Sequence, residues 1–234
     1  MEIKHDVVCT ISNQRAYIES MAMKFRLTTA KPVYIPMLPS EILSHDQLMF
    51  MPVQHAKMLK VPCGNMIGHV LWPAIISRPD AMFATGIISQ FILNPGPAHI
   101  KALKHLITYL YTKKDRWLTF SGKDAEIIAY TDTGYAQQSD HHSILAYCPQ
   151  FRAGTISWSL KKQNIDTLLL TKAEYIGHTH TVKEVMWIPN FWTEISGKSI
   201  INPTLLKADN QCTIELLNNN KFHAMGRKFW SKQN

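Results

Sequence analysis

The sequence predicts an α+β protein with a mixed β-sheet flanked by helices, and three observations carry that reading. From about Cys63 to Tyr111 the apolar residues recur at helical spacing. Beyond Lys113-Lys114-Asp115 they fall into short runs bounded by turn residues, read as strand, strand, strand, strand, helix, strand, helix. Between the two regimes, proline-rich stretches mark where regular structure must stop.

Taken in order, Arg15 to Phe25 forms a short helix with Tyr17, Ile18, Met21 and Phe25 on one side. The stretch Lys31-Pro32-Val33-Tyr34-Ile35-Pro36-Met37-Leu38-Pro39 is denied helical hydrogen bonds by its three prolines, so it reads as an extended linker or strap. Cys63 to Trp72 is apolar enough to pack as a helix, which Pro73 is expected to interrupt. Arg78-Pro79-Asp80 starts the next helix, whose buried side is Ala81, Met82, Ala84, Ile87, Ile88 and Phe91. After the break Asn94-Pro95-Gly96-Pro97, the residues His99, Leu103, Leu106, Ile107 and Leu110 face inward and leave Lys101 and Lys104 toward solvent.

In the second half, Trp117–Phe120, the turn Ser121-Gly122-Lys123-Asp124 and Ile127–Tyr130 read as a hairpin. Ser143–Cys148 and Thr155–Ser159 are further strands, joined by a turn containing Gly154. Tyr175, Thr179, Val182 and Met186 form a helical stripe ending near Pro189. Thr204–Ala208 is a strand, and a helix starts at Thr213–Leu217. The segments are therefore 1–60, irregular with the proline-rich linker; 61–116, helical; and 117–234, the mixed-sheet domain.

Composition bounds the function. The chain has 234 residues, 46% hydrophobic and 18% charged, enough for one large or two small domains. No apolar run reaches the roughly 18–20 residues of a membrane helix, and the polar start Met1-Glu2-Ile3-Lys4-His5-Asp6 is unlike a secretory signal, so an intracellular protein is expected. Lys and Arg exceed Asp and Glu by 25 to 17, a net +8, which suits a polyanionic partner. Lys101, Lys104, His105, Lys113, Lys114 and Arg116 cluster with Tyr109, Tyr111 and Trp117, the mixture of cations and aromatics that nucleic-acid faces use. The same pattern also describes a solvated helix with its aromatics turned inward. Cys9, Cys63, Cys148 and Cys212 are isolated, which argues for free thiols over a zinc site or disulfides.

Three acids sit where chemistry could use them. Asp132 follows the strand Ile127–Tyr130, Glu174 lies in the first turn of the later helix, and Asp209 follows the strand Thr204–Ala208. Gathered on one edge of a sheet they would repel one another unless a divalent cation neutralised them, and magnesium prefers such oxygen ligands. Two such ions about 4 Å apart activate a water and stabilise the leaving oxygen of a phosphodiester. The plainer reading makes each acid a turn or cap residue. Glu174 and His178 share the i, i+4 spacing of a helical metal pair, with His180 nearby, but no third ligand is evident; His141-His142 reads as a loop pair. No glycine-rich phosphate loop or Gly-x-Ser-x-Gly turn occurs.

Ile127-Ile128-Ala129-Tyr130-Thr131-Asp132-Thr133-Gly134-Tyr135-Ala136 resembles the opening strand of a copia-type retrotransposon ribonuclease H. Ile156–Gln163, Thr171-Lys172-Ala173-Glu174-Tyr175-Ile176, Ala208-Asp209-Asn210-Gln211 and Phe222-His223-Ala224 are similar to that family's later markers, in order. Upstream, Ser77-Arg78-Pro79-Asp80 and Asn94–His99 resemble its connecting segment, while Gln14–Ile18 and Ala30–Val33 resemble the end of its reverse transcriptase. The resemblance implies a ribonuclease H-like domain after a helical connection and a polymerase remnant. It also implies that Asp132, Glu174 and Asp209 are three of four magnesium-binding acids that cleave the RNA strand of an RNA–DNA hybrid. Lys101, Lys104, Lys113, Lys114 and Arg116 would then contact nucleic acid.

The chain departs from the family pattern at several places. Trp230 stands near the expected fourth acid, Gly134 replaces an acid two positions after Asp132, and Lys172 stands where a second glutamate is usual. No Tyr-x-Asp-Asp turn precedes the linker, so no polymerase activity is expected. These departures predict a degenerate, truncated copy. Hydrolysis of hybrids, binding of nucleic acid without hydrolysis, and an expressed relic without function all stand as readings.

Overall fold

The computed structural model describes residues 1–7, 9–40, 43–44, 61–121, 126–134, 144–162, 170–200 and 203–208. The chain divides into two units, Met1–Lys123 with Arg152–Leu160, and Asp124–Phe151 with Lys161–Asn234. Helices and a mixed sheet make it an α+β protein, as the change of period predicts.

The first unit opens with strands β1 (Glu2–His5) and β2 (Thr10–Asn13), antiparallel to each other. Strand β3 (Leu118–Phe120) adds to β2, with Ile11 opposite Thr119. The hairpin expected between 117–120 and 127–130 is therefore not formed. The partner of β3 comes from the far end of the unit, a non-local pairing that leaves no signature in the intervening residues.

Among the described residues four helices follow: α1 (Arg15–Lys24), α2 (Cys63–Ile76), α3 (Met82–Ser89) and α4 (Pro97–Thr112). Their inner faces supply Ile18, Met21, Val70, Ala74, Ile87, Ile88, Leu103, Leu106, Ile107 and Leu110 to one core. Pro97 starts α4 where its missing N–H costs nothing, and Pro79 opens a 3-10 turn (Pro79–Ala81) leading into α3. The proline-rich stretch is irregular and laid along α4, as expected of a strap. The Val33 N–H donates to Thr112 Oγ1 at 3.2 Å, and the His105 ring reaches the Ile35 carbonyl at 3.0 Å.

Helix α2 does not stop at Pro73 but continues to Ile76. Proline lacks the N–H that would bond the carbonyl four residues earlier, that of His69. The Tyr17 hydroxyl on α1 donates to that carbonyl at 3.2 Å, so the orphaned acceptor is satisfied and the helix survives.

The turn before β6 (Gly154–Thr155) is also corrected. Arg152 and Ala153 take positive φ, 51° and 57°, as the two central residues of a tight turn, and Gly154 already belongs to the strand. Gly154 is needed for closeness: a Cβ there would meet Phe120 Cδ1 at 2.3 Å and the Thr119 carbonyl at 2.6 Å. Strand β7 (Ser159–Lys162) follows.

In the second unit β4 (Ile127–Gly134) pairs antiparallel with β5 (Ile144–Phe151) and parallel with β8 (Leu205–Lys207). Parallel neighbours need a crossover, and helix α5 (Leu170–Ser196) lies between β5 and β8 in sequence. It packs on the sheet through His178, Thr181, Val185 and Ile188. The expected stripe is thus one position out: Val182 and Met186 are exposed, and the helix runs on through Pro189. The buried register is set by Thr181, whose hydroxyl is hydrogen-bonded to that of Thr131 at 3.0 Å. The helix expected at Thr213–Leu217 lies outside the described residues.

Candidate functional site

Strand β4 positions Asp132. Successive side chains alternate across a sheet, so Ile127, Ala129 and Thr131 share one face and Ile128, Tyr130 and Asp132 the other. The first set is buried under α5, while Tyr130 and Asp132 are exposed. Asp132 sits opposite Ala146 of β5. Glu174 lies on α5, which begins at Leu170, so the glutamate falls one turn further into the helix than the expected first turn. Asp209 is outside the described residues, as are His141, His142 and Trp230. Among the described residues no group of three His, Cys, Asp or Glu side chains is placed to hold a metal ion. His178 is buried on α5 and His180 exposed. Cys9, Cys63 and Cys148 are in no disulfide among the described residues, and Cys212 lies outside them.

The basic segment divides in two. Lys101 and Lys104 project from α4 into solvent, as the helical period implies. Lys113, Lys114 and Arg116 are half-engaged with the first unit itself. The Lys114 ammonium is 2.9 Å from Glu19, Lys113 lies 4.8 Å over the Tyr34 ring, and Arg116 reaches Asp80 at 3.1 Å.

Asp80 is the hub that the sequence did not reveal. Its carboxylate takes two hydrogen bonds from the buried Arg78 guanidinium, at 2.9 and 2.8 Å, and one from the Tyr109 hydroxyl at 2.5 Å. Burial alone would raise its pKa, but Arg78, the Tyr109 hydroxyl and Arg116 outweigh burial and hold it below the ordinary value. Burial and the neighbouring carboxylate push the Tyr109 phenol up. Arg78 also donates to the Lys113 carbonyl at 3.0 Å. The one available signal was the opposite-charge pair flanking Pro79, which composition reads as a helix start.

A second polar cluster joins α1 to α2. Lys24 can only donate, so His69 Nε2, 2.8 Å away, accepts, and Nδ1 carries the proton shared with the Tyr17 oxygen at 2.9 Å. Burial, then the Lys24 charge, lowers the His69 pKa, keeping the ring neutral.

Comparison with known proteins decides the family. The chain is 33% identical over 213 residues to the retrovirus-related Pol polyprotein from transposon TNT 1-94 of Nicotiana tabacum, covering 91% of the chain and 16% of that protein. It is 30% identical over 216 residues to the corresponding polyprotein from transposon RE1 of Arabidopsis thaliana, covering 91% of the chain and 14% of that protein. The chain belongs to the retrotransposon Pol polyprotein family.

It spans about one sixth of the length of these Pol relatives. A shorter relative, secreted RxLR effector protein 161 of Plasmopara viticola, is 30% identical over 133 residues, which cover 56% of this chain and 94% of the effector. No family model and no solved structure matches the chain. The chain presents Asp132 on an open sheet face and an exposed pair of lysines on α4. Among the described residues, no helix is long and apolar enough to cross a membrane.

Proposed function

We propose that the second unit of this Pol segment is a ribonuclease H-like domain that hydrolyses the RNA strand of RNA–DNA hybrids, with Asp132, Glu174 and Asp209 as its magnesium-binding acids. The parallel pairing of β4 with β8 is the observation that carries this reading. Ile128, Ala129 and Tyr130 lie beside Leu205, Leu206 and Lys207. Each β8 residue stands as far along the chain from its β4 partner as Asp209 stands from Asp132. That equal spacing supports the reading, and α5, which bears Glu174, packs on the same strand.

The donor set fits the metal in kind: carboxylate oxygens are what a hard, reluctantly dehydrating cation takes, and Asp132 offers such oxygens to solvent. Bound there, magnesium would activate a water and neutralise the leaving oxygen of the phosphodiester. The protein's own part is to hold Asp132 still, through β5 on one side and the Thr131–Thr181 bond behind it. RNA is distinguished from DNA by the 2′-hydroxyls that the hybrid displays in a wide minor groove. Lys101, Lys104, Lys113, Lys114 and Arg116 are assigned to the duplex backbone, with Lys101 and Lys104 the most available.

A labelled RNA–DNA hybrid tests the reading. Cutting should require magnesium and should fall in Asp132→Asn by more than the roughly 10–100-fold that losing a supporting partner of a metal ligand costs. A second reading, binding of hybrids without hydrolysis, is favoured by Gly134 at the end of β4 and Lys172 on α5, where the resemblance calls for acids. Salt-sensitive binding with no magnesium-dependent cutting would establish that reading instead.

A further inference from the structure

We infer that Tyr130 and Lys207 form a cross-strand platform that grips one nucleic-acid strand beside Asp132, the ring stacking on a base or sugar and the ammonium taking a phosphate. This rests on the nucleic-acid reading of the second unit and adds two residues to its substrate contacts.

The geometry starts from register. Tyr130 of β4 lies directly beside Lys207 of β8, and the Lys207 ammonium sits 5.3 Å from the Tyr130 ring centroid. Residues side by side on neighbouring strands share a face, so both belong to the face that carries Asp132. The opposite face is occupied by α5 through the Thr131–Thr181 bond. The Tyr130 face is open: the tyrosine is 40% exposed, Leu205 beside Ile128 is 48% exposed, and Lys207 and Asp132 are exposed as well. Two residues along a strand separate Tyr130 from Asp132, a distance of about 7 Å.

Charge gives the pair its purpose. An exposed carboxylate repels a phosphodiester, and a strand that must approach Asp132 needs a cation close by to offset that repulsion. Lys207 is such a cation, its ammonium held 5.3 Å from the Tyr130 ring centroid. An aromatic surface next to a cation suits single strands and strand ends regardless of sequence, because every base has a π-face and every linkage a charge.

Binding and cutting are measured separately so that the two readings can fail independently. The full chain is titrated into a fluorescein-labelled RNA–DNA hybrid carrying a single-stranded overhang, in EDTA, where no metal-dependent cutting occurs, and anisotropy is followed over a salt series. Lys207→Gln should weaken binding for all sequences alike and flatten the log–log salt slope by about 1. Tyr130→Leu should weaken binding at least about fivefold with little change in that slope. Lys198→Gln, an exposed lysine outside this face, should leave both unchanged. Thermal melting of each variant confirms that it folds. If the parent binds hybrid and both variants bind as it does, the pair is only a structural contact and the platform is overturned, while the nuclease reading stands on Asp132→Asn. If the parent binds no hybrid in EDTA and cuts none in magnesium, the platform and the reading it rests on fall together.

Discussion

The first unit turns its polar side chains on itself, whereas the second leaves a row of them on an open sheet face. Around Asp80, the side chains of Arg78, Tyr109 and Arg116 converge, and Asn13 reaches the carbonyls of Lys114 and Arg116 at 3.1 and 2.7 Å. Ser77 donates to Gln14 at 2.8 Å. The Asn13 and Gln14 bonds tie the start of the chain to residues 63 to 103 positions later. On β4 the polar residues Tyr130 and Asp132 face away from the helix that covers the other side. The contrast shows what net charge hides. Part of the basic surplus serves internal ion pairs, so the count of lysines and arginines overstates the surface open to nucleic acid, and position on an element decides which cations are available.

The largest effect on stability should come from removing the hub. Asp80→Ala leaves the Arg78 guanidinium, whose side chain is 3% exposed, without its carboxylate partner. Breaking such a pair from one side costs about 3 kcal/mol. Denaturant unfolding should show the loss, and hydrogen exchange should place it in residues 63–116. Because the folded pKa of Asp80 is depressed, its stabilisation is present above the unfolded value of about 3.9 and is lost as pH falls through the folded value. Asp80→Asn should therefore flatten the acid limb of the stability curve. An unchanged acid limb would mean that the first unit is not organised around this carboxylate.

A smaller loss should follow Gly154→Ala. The added methyl meets the Thr119 backbone carbonyl as well as the Phe120 ring, and backbone cannot swing aside as a side chain can. Overpacking of this kind costs about 1–3 kcal/mol. A melting temperature equal to that of the parent would show that β3 and β6 can part without penalty.

Much of the first unit was legible because its signals are local. The period of His99 to Leu110 gave α4 and its exposed lysines, and three prolines gave the strap. Pairing of β3 with β2 was not legible, since nothing in Trp117–Phe120 names a partner a hundred residues away. In the second unit the strand Ile127–Tyr130 and the later strand were readable, and alternation alone places Tyr130 and Asp132 together. The face of α5 was misread by one position because its stripe mixes threonine and histidine with apolar residues. A hydrogen bond to Thr131, which only the fold supplies, chose between the alternatives. Asp132 was legible as a strand acid, but the parallel pairing of its strand with β8 is a register that no local rule supplies.

Pro73 is where a strong local rule lost to a tertiary contact, and it yields the smallest of these predictions. Sequence reasoning ends the helix before the proline, yet α2 runs through it with Tyr17 standing in for the missing donor. Tyr17→Phe keeps the ring and deletes both the donor to the His69 carbonyl and the acceptor of its Nδ1 proton. A net loss of about 1 kcal/mol is expected. Acid probes the same cluster: His69 has a lowered folded pKa, so its contribution is complete above the unfolded value of about 6.5 and is lost as pH falls through the folded value. His69→Gln should remove that slope, and an NMR titration should place the His69 midpoint below that of an exposed histidine. If Tyr17→Phe melts with the parent while His69 titrates normally, α2 must accommodate Pro73 by some other means, and the self-contained polar bonding of the first unit would be narrower than the Asp80 hub suggests.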